Sequence, residues 1–463
     1  MSDGRAAALL ALAVALGVVA PAGAVGSAGA ASHGGGATPA EAQTAATGVT
    51  EITGCTAITS PGVYALAGDV TNASPDRPRT GLGACIAVRT DDVTLRGGGH
   101  VVAAGPNGAP GAVGVLVGGR ERRANVTVRN LATTRWGAGV AVLGTTGATL
   151  RNVSARNNLG DGVFVENAPG VELRSGTVTG SNTGVFVRGA PDARLAGLNV
   201  TDNLVGVSVR NADGATVEDV RVAGSSQYGL GVFASANVTV TDATFRDDGF
   251  AHVVLSRADG AALRNLTIGP ESGTRPGSGG TPAAPATDTV GVYLDASTGV
   301  RLADVSVADA PGTAIYAAGN STAVGERVRL GGTRLGFELR DVALDPAAGV
   351  PPLPLTERQV VGEPLRAVPT GEGARLSLSL RYDEAAVDRA STTEETLSLW
   401  RFDAGEGWRR AASAVDAEAD VASAAFGNLS ENGTVVALVG EGLAESGSGE
   451  AGATESGNAT ATA

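Results

Sequence analysis

Arg246, Asp247, Asp248 and His252 fall within one seven-residue window. Two adjacent carboxylates beside an arginine and an imidazole are the groups that acid–base cleavage of a sugar linkage needs. Their oxygens would also suit calcium, although no calcium-loop motif accompanies them. Asp202 and Asp161 extend the set upstream. A second set is basic: Arg96, Arg129, Arg151 and Arg174, with Thr94, Thr127 and Thr149 two positions earlier and Glu172 in the fourth place. Guanidinium groups beside hydroxyls can hold the carboxylate or sulfate groups of a polyanion through paired hydrogen bonds. A third set is aromatic, Phe164, Phe186, Tyr293 and Tyr316, in a chain with only 3% aromatic residues. Such rings could stack on sugars, or lie beneath another segment or a second subunit; the covered arrangement is preferred.

What must position these residues is a repeat. Between Asp91 and Val342, the aliphatics Val128, Leu150, Leu173, Leu195, Val217, Val240 and Leu263 follow one another at 22 or 23 residues, and Val140, Val163, Val185, Val207, Leu230 and Val253 keep the same beat. Each unit can bury its apolar face only against its neighbours. Within a unit, Thr149-Leu150-Arg151 and Val163-Phe164-Val165 alternate with a period of two, the mark of half-buried strands. Asn, Asp, Gly and Ser fill the gaps, and no stretch has helical periodicity long enough to cross over. The expectation is an all-β chain: a right-handed parallel β-helix over 49–345, of about ten coils, three strands per coil, roughly 50 Å long. The Leu-x-Leu and Asn pattern of leucine-rich repeats is missing. Stacking puts Leu95, Val128, Leu150 and Leu173 inward and sets the four arginines outward in a row about 5 Å apart. A solvated face tolerated in high salt is the alternative reading of that row.

The same register weighs against the acidic cluster. Asn157/Asn158, Asp202/Asn203, Asp247/Asp248 and Asp309 occupy one turn position, and turns select Asn and Asp for local hydrogen bonds and positive φ. The turn reading is therefore preferred, with catalysis by Asp247, Asp248 and His252 kept as the alternative. The beat breaks where Leu263 to Leu302 and Val253 to Val292 are each 39 apart. A Pro/Gly/Ser-rich insertion near 271–287 accounts for the excess, and the phase returns at Ile315 and Phe337.

The formal charge is −13, from 34 basic and 47 acidic residues, and every basic residue is arginine. Such a surface does not recruit nucleic acid. It fits solubility in concentrated salt, where the Debye length falls to about 3 Å at 1 M, or a GC-rich genome. Arg5, the apolar run AAALLALAVALGVVA and the small residues after it form a Sec-type export signal over 1–30, without a twin-arginine motif; 31–48 reads as a flexible linker. In an exported chain Cys55 and Cys85 read as a disulfide closing a loop of about 30 residues, worth on the order of 3 kcal/mol; two separate buried thiols are the alternative. Ten Asn-x-Ser/Thr sequons occur, including Asn125, Asn152, Asn199, Asn237 and Asn265. Several exist because the repeat itself reads Asn-Val-Thr, so glycan occupancy does not follow from them.

The opening stretch, with Ile52, Cys55 and Ile58, then PGVYALAGDV, Cys85-Ile86-Ala87-Val88 and DDVTLRGGGHVV, resembles that of archaeal secreted β-helix proteins similar to the NosD-like, carbohydrate-binding/sugar-hydrolysis (CASH) group. The resemblance covers about residues 50–342. It implies that the segment from Cys55 to Cys85 caps the N-terminal end of the rod, and it carries the expectation of a carbohydrate ligand. The copper role of the group's namesake is not expected: three histidines, one methionine in the signal and two cysteines leave no soft ligand set. No metal or cofactor is expected. After Asp345 a proline-rich joint leads into alternating strands that argue a small antiparallel sandwich over 355–441, with Trp400 and Trp408 across a hairpin. This part resembles the C-terminal modules of haloarchaeal surface proteins. The acidic tail, 442–463, ends without an apolar segment, so no membrane anchor is expected. The reading is an exported envelope or extracellular β-helix protein that binds carbohydrate. Its rivals are a polysaccharide lyase or glycosidase and a purely structural surface protein.

Overall fold

The computed structural model describes residues 48–75, 82–269, 289–308, 312–354 and 358–442. The expected export signal, the insertion near 271–287, nearly all of the linker and acidic tail, and Asp309 lie outside these residues. The chain winds as a right-handed parallel β-helix. One coil shows how. Thr216–Glu218 and Arg221–Ala223 are short strands of a first sheet, and Tyr228–Phe233 is a strand of a second. Val217, Val222, Leu230 and Val232 point inward and are at most 1% exposed. The corner between the first two strands is Asp219 at φ 52°, and other coils place Asn130, Asn152, Asp242 and Asn265 there, at φ 51 to 53°. Short polar side chains reach the left-handed region more readily than other non-glycine residues, and here they also link coils: the Asn152 amide donates to Asn130 Oδ1 at 3.0 Å.

The two aliphatic rows stack in register. Leu95, Val128, Leu150, Leu173, Leu195, Val217, Val240, Leu263 and Leu302 pair successively along the first sheet. Val140, Val163, Val185, Val207, Leu230, Val253, Val292 and Ile315 do so along the second. Each such side chain contributes about 1.5–3 kcal/mol by leaving water. At the N-terminal end the Cys55–Cys85 disulfide joins the residue before Thr56–Ile58 to a residue of Gly83–Val88, neighbouring parallel strands. The second coil is wider, since 33 residues separate Leu95 from its partner Val128. Trp136 fills the extra space, 0% exposed, with its indole N–H donating to the Val102 carbonyl at 2.9 Å.

At the other end the structure departs from the expected boundary. Phe337 lies on Thr333–Arg340, which runs antiparallel to Thr322–Leu330 and so does not restore the parallel beat. Val342–Pro346 is antiparallel to Ile315–Ala318 and pairs across the proline-rich joint with Arg358–Pro369. The later strands extend both solenoid sheets: Arg375–Arg381 and Val421–Phe426 on the first, Thr434–Glu441 and Ser398–Asp403 on the second. Leu376, Leu378, Leu399, Phe426 and Leu438 share one hydrophobic cluster with the coils. The antiparallel part therefore closes the open end of the rod. Across its hairpin Trp408 pairs with Phe402, while Trp400 pairs with Arg410.

Candidate functional site

The acidic cluster is built by the corner that leads from the first sheet into the second. Two adjacent residues behave oppositely there. Asn157, Asp202 and Asp247 have φ of 50, 55 and 53°, and the Asp247 side chain is exposed. The next residues, Asn158, Asn203 and Asp248, turn into the coil and are 2, 2 and 4% exposed. Each reaches back one coil: Asn158 Oδ1 accepts from the Trp136 N–H, Asn203 Oδ1 from the Ser181 N–H and Asp248 Oδ1 from the Ser225 N–H. His252 stands where the preceding coils have Gly162, Gly184, Gly206 and Gly229. It is 2% exposed, with Nδ1 3.0 Å from Asp248 Oδ2. Burial raises the Asp248 carboxyl above the usual range, partly offset by His252 and Ser225. Asp248 and His252 thus face each other inside the solenoid and do not meet a polysaccharide outside it. The turn reading describes them; the expected catalytic trio is divided, with Asp247 alone on the surface.

The arginines lie on the outer face of the first sheet. Arg96 pairs in register with Arg129, Arg129 with Arg151, and Arg151 with Arg174. Thr94, Thr127 and Thr149 form the adjoining row, followed by Glu172. Arg174 donates to Glu172 at 2.9 Å. That hydrogen bond holds the Glu172 carboxyl below its usual range, with Arg194 and Arg151 adding their charge. Among the described residues no carboxylate lies within 4.0 Å of Arg96, Arg129 or Arg151. The Nε–H groups of Arg96 and Arg129 are enclosed and have no acceptor.

The aromatic residues lie on the second sheet, so the structure does not bring them to the arginine row. Phe164 and Phe186 stack with centroids 5.6 Å apart and planes at 11°. One face of each ring is turned to the other, and both residues are half-buried. The Arg210 guanidinium lies 5.7 Å from the Phe186 ring and 4.5 Å from Phe233. Tyr293 stacks on Tyr316 at 5.3 Å and 3°, with Phe250 tilted against it. Tyr293 is 3% exposed, so as a ligand contact it is corrected: it is a packed ring of an apolar cluster with Tyr228 and Val254. The sequon asparagines Asn125, Asn152, Asn199, Asn237 and Asn265 are all exposed; the amides of Asn125, Asn152 and Asn265 also donate to Asp92, Asn130 and Asp242 of the preceding coil. Among the described residues no group of three or more His, Cys, Asp or Glu side chains could hold a metal ion.

Asp161 stands out on the second sheet, between Ala138 and Thr183 in the outward row. Burial pushes its carboxyl up to about 6, against a smaller opposing effect of the Thr183 hydrogen bond. Asp345, which accepts from the Ala314 N–H, is likewise pushed up to about 6. The folded chain therefore holds protons that the unfolded chain releases above about pH 4. Their contribution favours folding at low pH and is lost as pH rises through about 6. Asp161→Asn is expected to flatten this fall by about 1–2 kcal/mol, allowing for partial exposure. Urea midpoints of both proteins at about pH 4, 5 and 7 check it; parallel pH profiles would refute the assignment.

A family model described as right handed beta helix region matches residues 113–274. No curated protein matches the sequence. The chain is similar to several solved structures. With the Dettilon tailspike protein it shares 10% identity over 84% of this chain and 86% of that one, at a TM-score of 0.36. The periplasmic alginate epimerase AlgG matches at 10% identity over 61% and 78%, TM-score 0.40. The enzymatically active domain of bacteriophage CBA120 tailspike protein 2 matches at 13% over 85% and 66%, TM-score 0.47. At these identities the likeness is one of fold.

Proposed function

We propose that the protein is exported and binds an acidic polysaccharide along the arginine row of the first sheet. One observation carries the reading: Arg96, Arg129 and Arg151 are aligned in register with no carboxylate within 4.0 Å among the described residues in a chain whose net charge is −13. Unit charges about 4 Å apart repel by roughly 1 kcal/mol in water and about 4 kcal/mol near a protein surface. A chain with surplus carboxylates could relieve that cost with one substitution, yet here hydroxyls flank Arg96, Arg129 and Arg151, and Glu172, which ends the flanking row, is hydrogen-bonded to Arg174. A polymer carrying carboxylate or sulfate groups relieves it, and several guanidinium contacts in line favour an extended chain over a single ion. Replacing Arg129 and Arg151 together by Ser is expected to weaken binding of alginate or heparin by about tenfold or more. The double variant should also lower the salt dependence of the affinity. Calorimetry at low and high salt measures both, and undiminished binding would remove this reading.

Cleavage is the second reading, as a polysaccharide lyase or glycosidase. The observation that favours it is Asp161, an outward-row carboxyl raised to about 6, suited to exchanging a proton near neutral pH. Release of reducing or unsaturated sugar ends, abolished in Asp161→Asn, would establish it.

A further inference from the structure

The repeat breaks a second time at the corner of the second coil. In the paired strands Ala109–Ala124 and Trp136–Thr146, Gly118 pairs with Leu143 and Arg123 with Thr145. Four residues, Gly119 to Arg122, therefore stand opposite the single residue Gly144. Gly118 and Gly119 have φ of 83 and 144°, which L side chains rarely adopt. The bulge walls an open cleft of about 1010 Å³. Leu116 and Leu143 line it, and both belong to an apolar cluster that includes Phe164. Arg89 and Arg122 also line it, are exposed, and have no carboxylate within 4.0 Å among the described residues. The cleft's acidic residues are already engaged: Glu121 with Arg123, and Glu166 with Arg188.

We infer that this cleft binds a short anionic saccharide, a carboxylated or sulfated segment of a few sugar units. Pockets for small ligands span about 300–1,000 Å³, so the volume admits several sugars and exceeds the need of a single ion. Sugar rings present apolar faces that suit Leu116 and Leu143. The Arg89 and Arg122 guanidinium groups complement carboxylate or sulfate, which a neutral sugar lacks. The inference shares with the proposed function only the anionic class of the ligand, because the cleft and the arginine row use different residues.

The test is calorimetric titration of the full chain with tetraguluronate, a heparin tetrasaccharide and neutral maltotetraose. One of the anionic tetrasaccharides should bind and maltotetraose should not. Arg89→Ser with Arg122→Ser should weaken the anionic tetrasaccharide by about tenfold or more. Arg381→Ser, an exposed arginine of the antiparallel end that belongs to neither the cleft nor the row, should leave it unchanged. Failure of both anionic tetrasaccharides to bind, or binding insensitive to Arg89 and Arg122, overturns the cleft assignment whatever the polymer does. Loss of tetrasaccharide binding only in the Arg129/Arg151 variant would also overturn it and return the ligand to the row. Far-UV spectra and urea midpoints confirm that each variant is folded.

Discussion

Trp136→Ala is expected to destabilise the solenoid by about 3–5 kcal/mol, the range for removing a buried large aromatic. The ring is 0% exposed, and a Cβ at Gly114 would lie 2.8 Å from the indole and 2.7 Å from the Gly139 carbonyl oxygen. Removing the ring also strands the Val102 carbonyl, which accepts the indole N–H. Trp136→Phe keeps most of the apolar volume and should cost less, about 1–3 kcal/mol for the unpaired carbonyl. A solenoid is held by nearest-neighbour contacts, so the damage should be local. Hydrogen exchange in Trp136→Ala should show lost protection in Val126–Thr134 and Thr149–Arg156, with Tyr228–Phe233 protected as before. Uniform loss along the rod would mean that the coils unfold as one body.

The rows were legible because in-register parallel stacking needs only a count. The positions 22 or 23 apart become neighbours, and so Leu150 above Val128 and Arg151 above Arg129 follow from the numbering. Alternation then gives the facing of each residue, but only within a strand. At a corner the chain turns through positive φ, and the period of two no longer applies. Asp247 and Asp248 are adjacent; one remains outside and the other is enclosed, and composition alone does not order them. Tyr293 was placed correctly on the outward row, yet its cover comes from Phe250 and Tyr316, which depend on how side chains pack across coils. The antiparallel strands were visible as alternation. Their partners were not, because pairing of Thr333–Arg340 with Arg375–Arg381 depends on closure of the rod in three dimensions. The bulge at Gly119–Arg122 left a signal: Val117 and Val128 are 11 apart, whereas Val142 and Leu150, or Val165 and Leu173, are 8 apart.

Asp248→Ala should cost about 3–5 kcal/mol, as expected when one member of a buried charged or hydrogen-bonded pair is removed. The substitution leaves the Ser225 N–H without its acceptor and His252 without its partner, both enclosed. Asp248→Asn should be nearly neutral. Asparagine already serves this corner at Asn158 and Asn203, accepting the same backbone N–H through Oδ1, and it introduces no charge that burial would oppose. The pair of substitutions therefore separates support from chemistry. A residue that only holds the corner tolerates asparagine, because geometry and hydrogen bonding survive. A residue that exchanges protons with a substrate does not. Urea midpoints measure the first property and release of sugar ends the second. If Asp248→Asn stays folded and loses a cleaving activity that the native chain possesses, the coil must open to admit substrate, and the acidic cluster returns as a catalytic site.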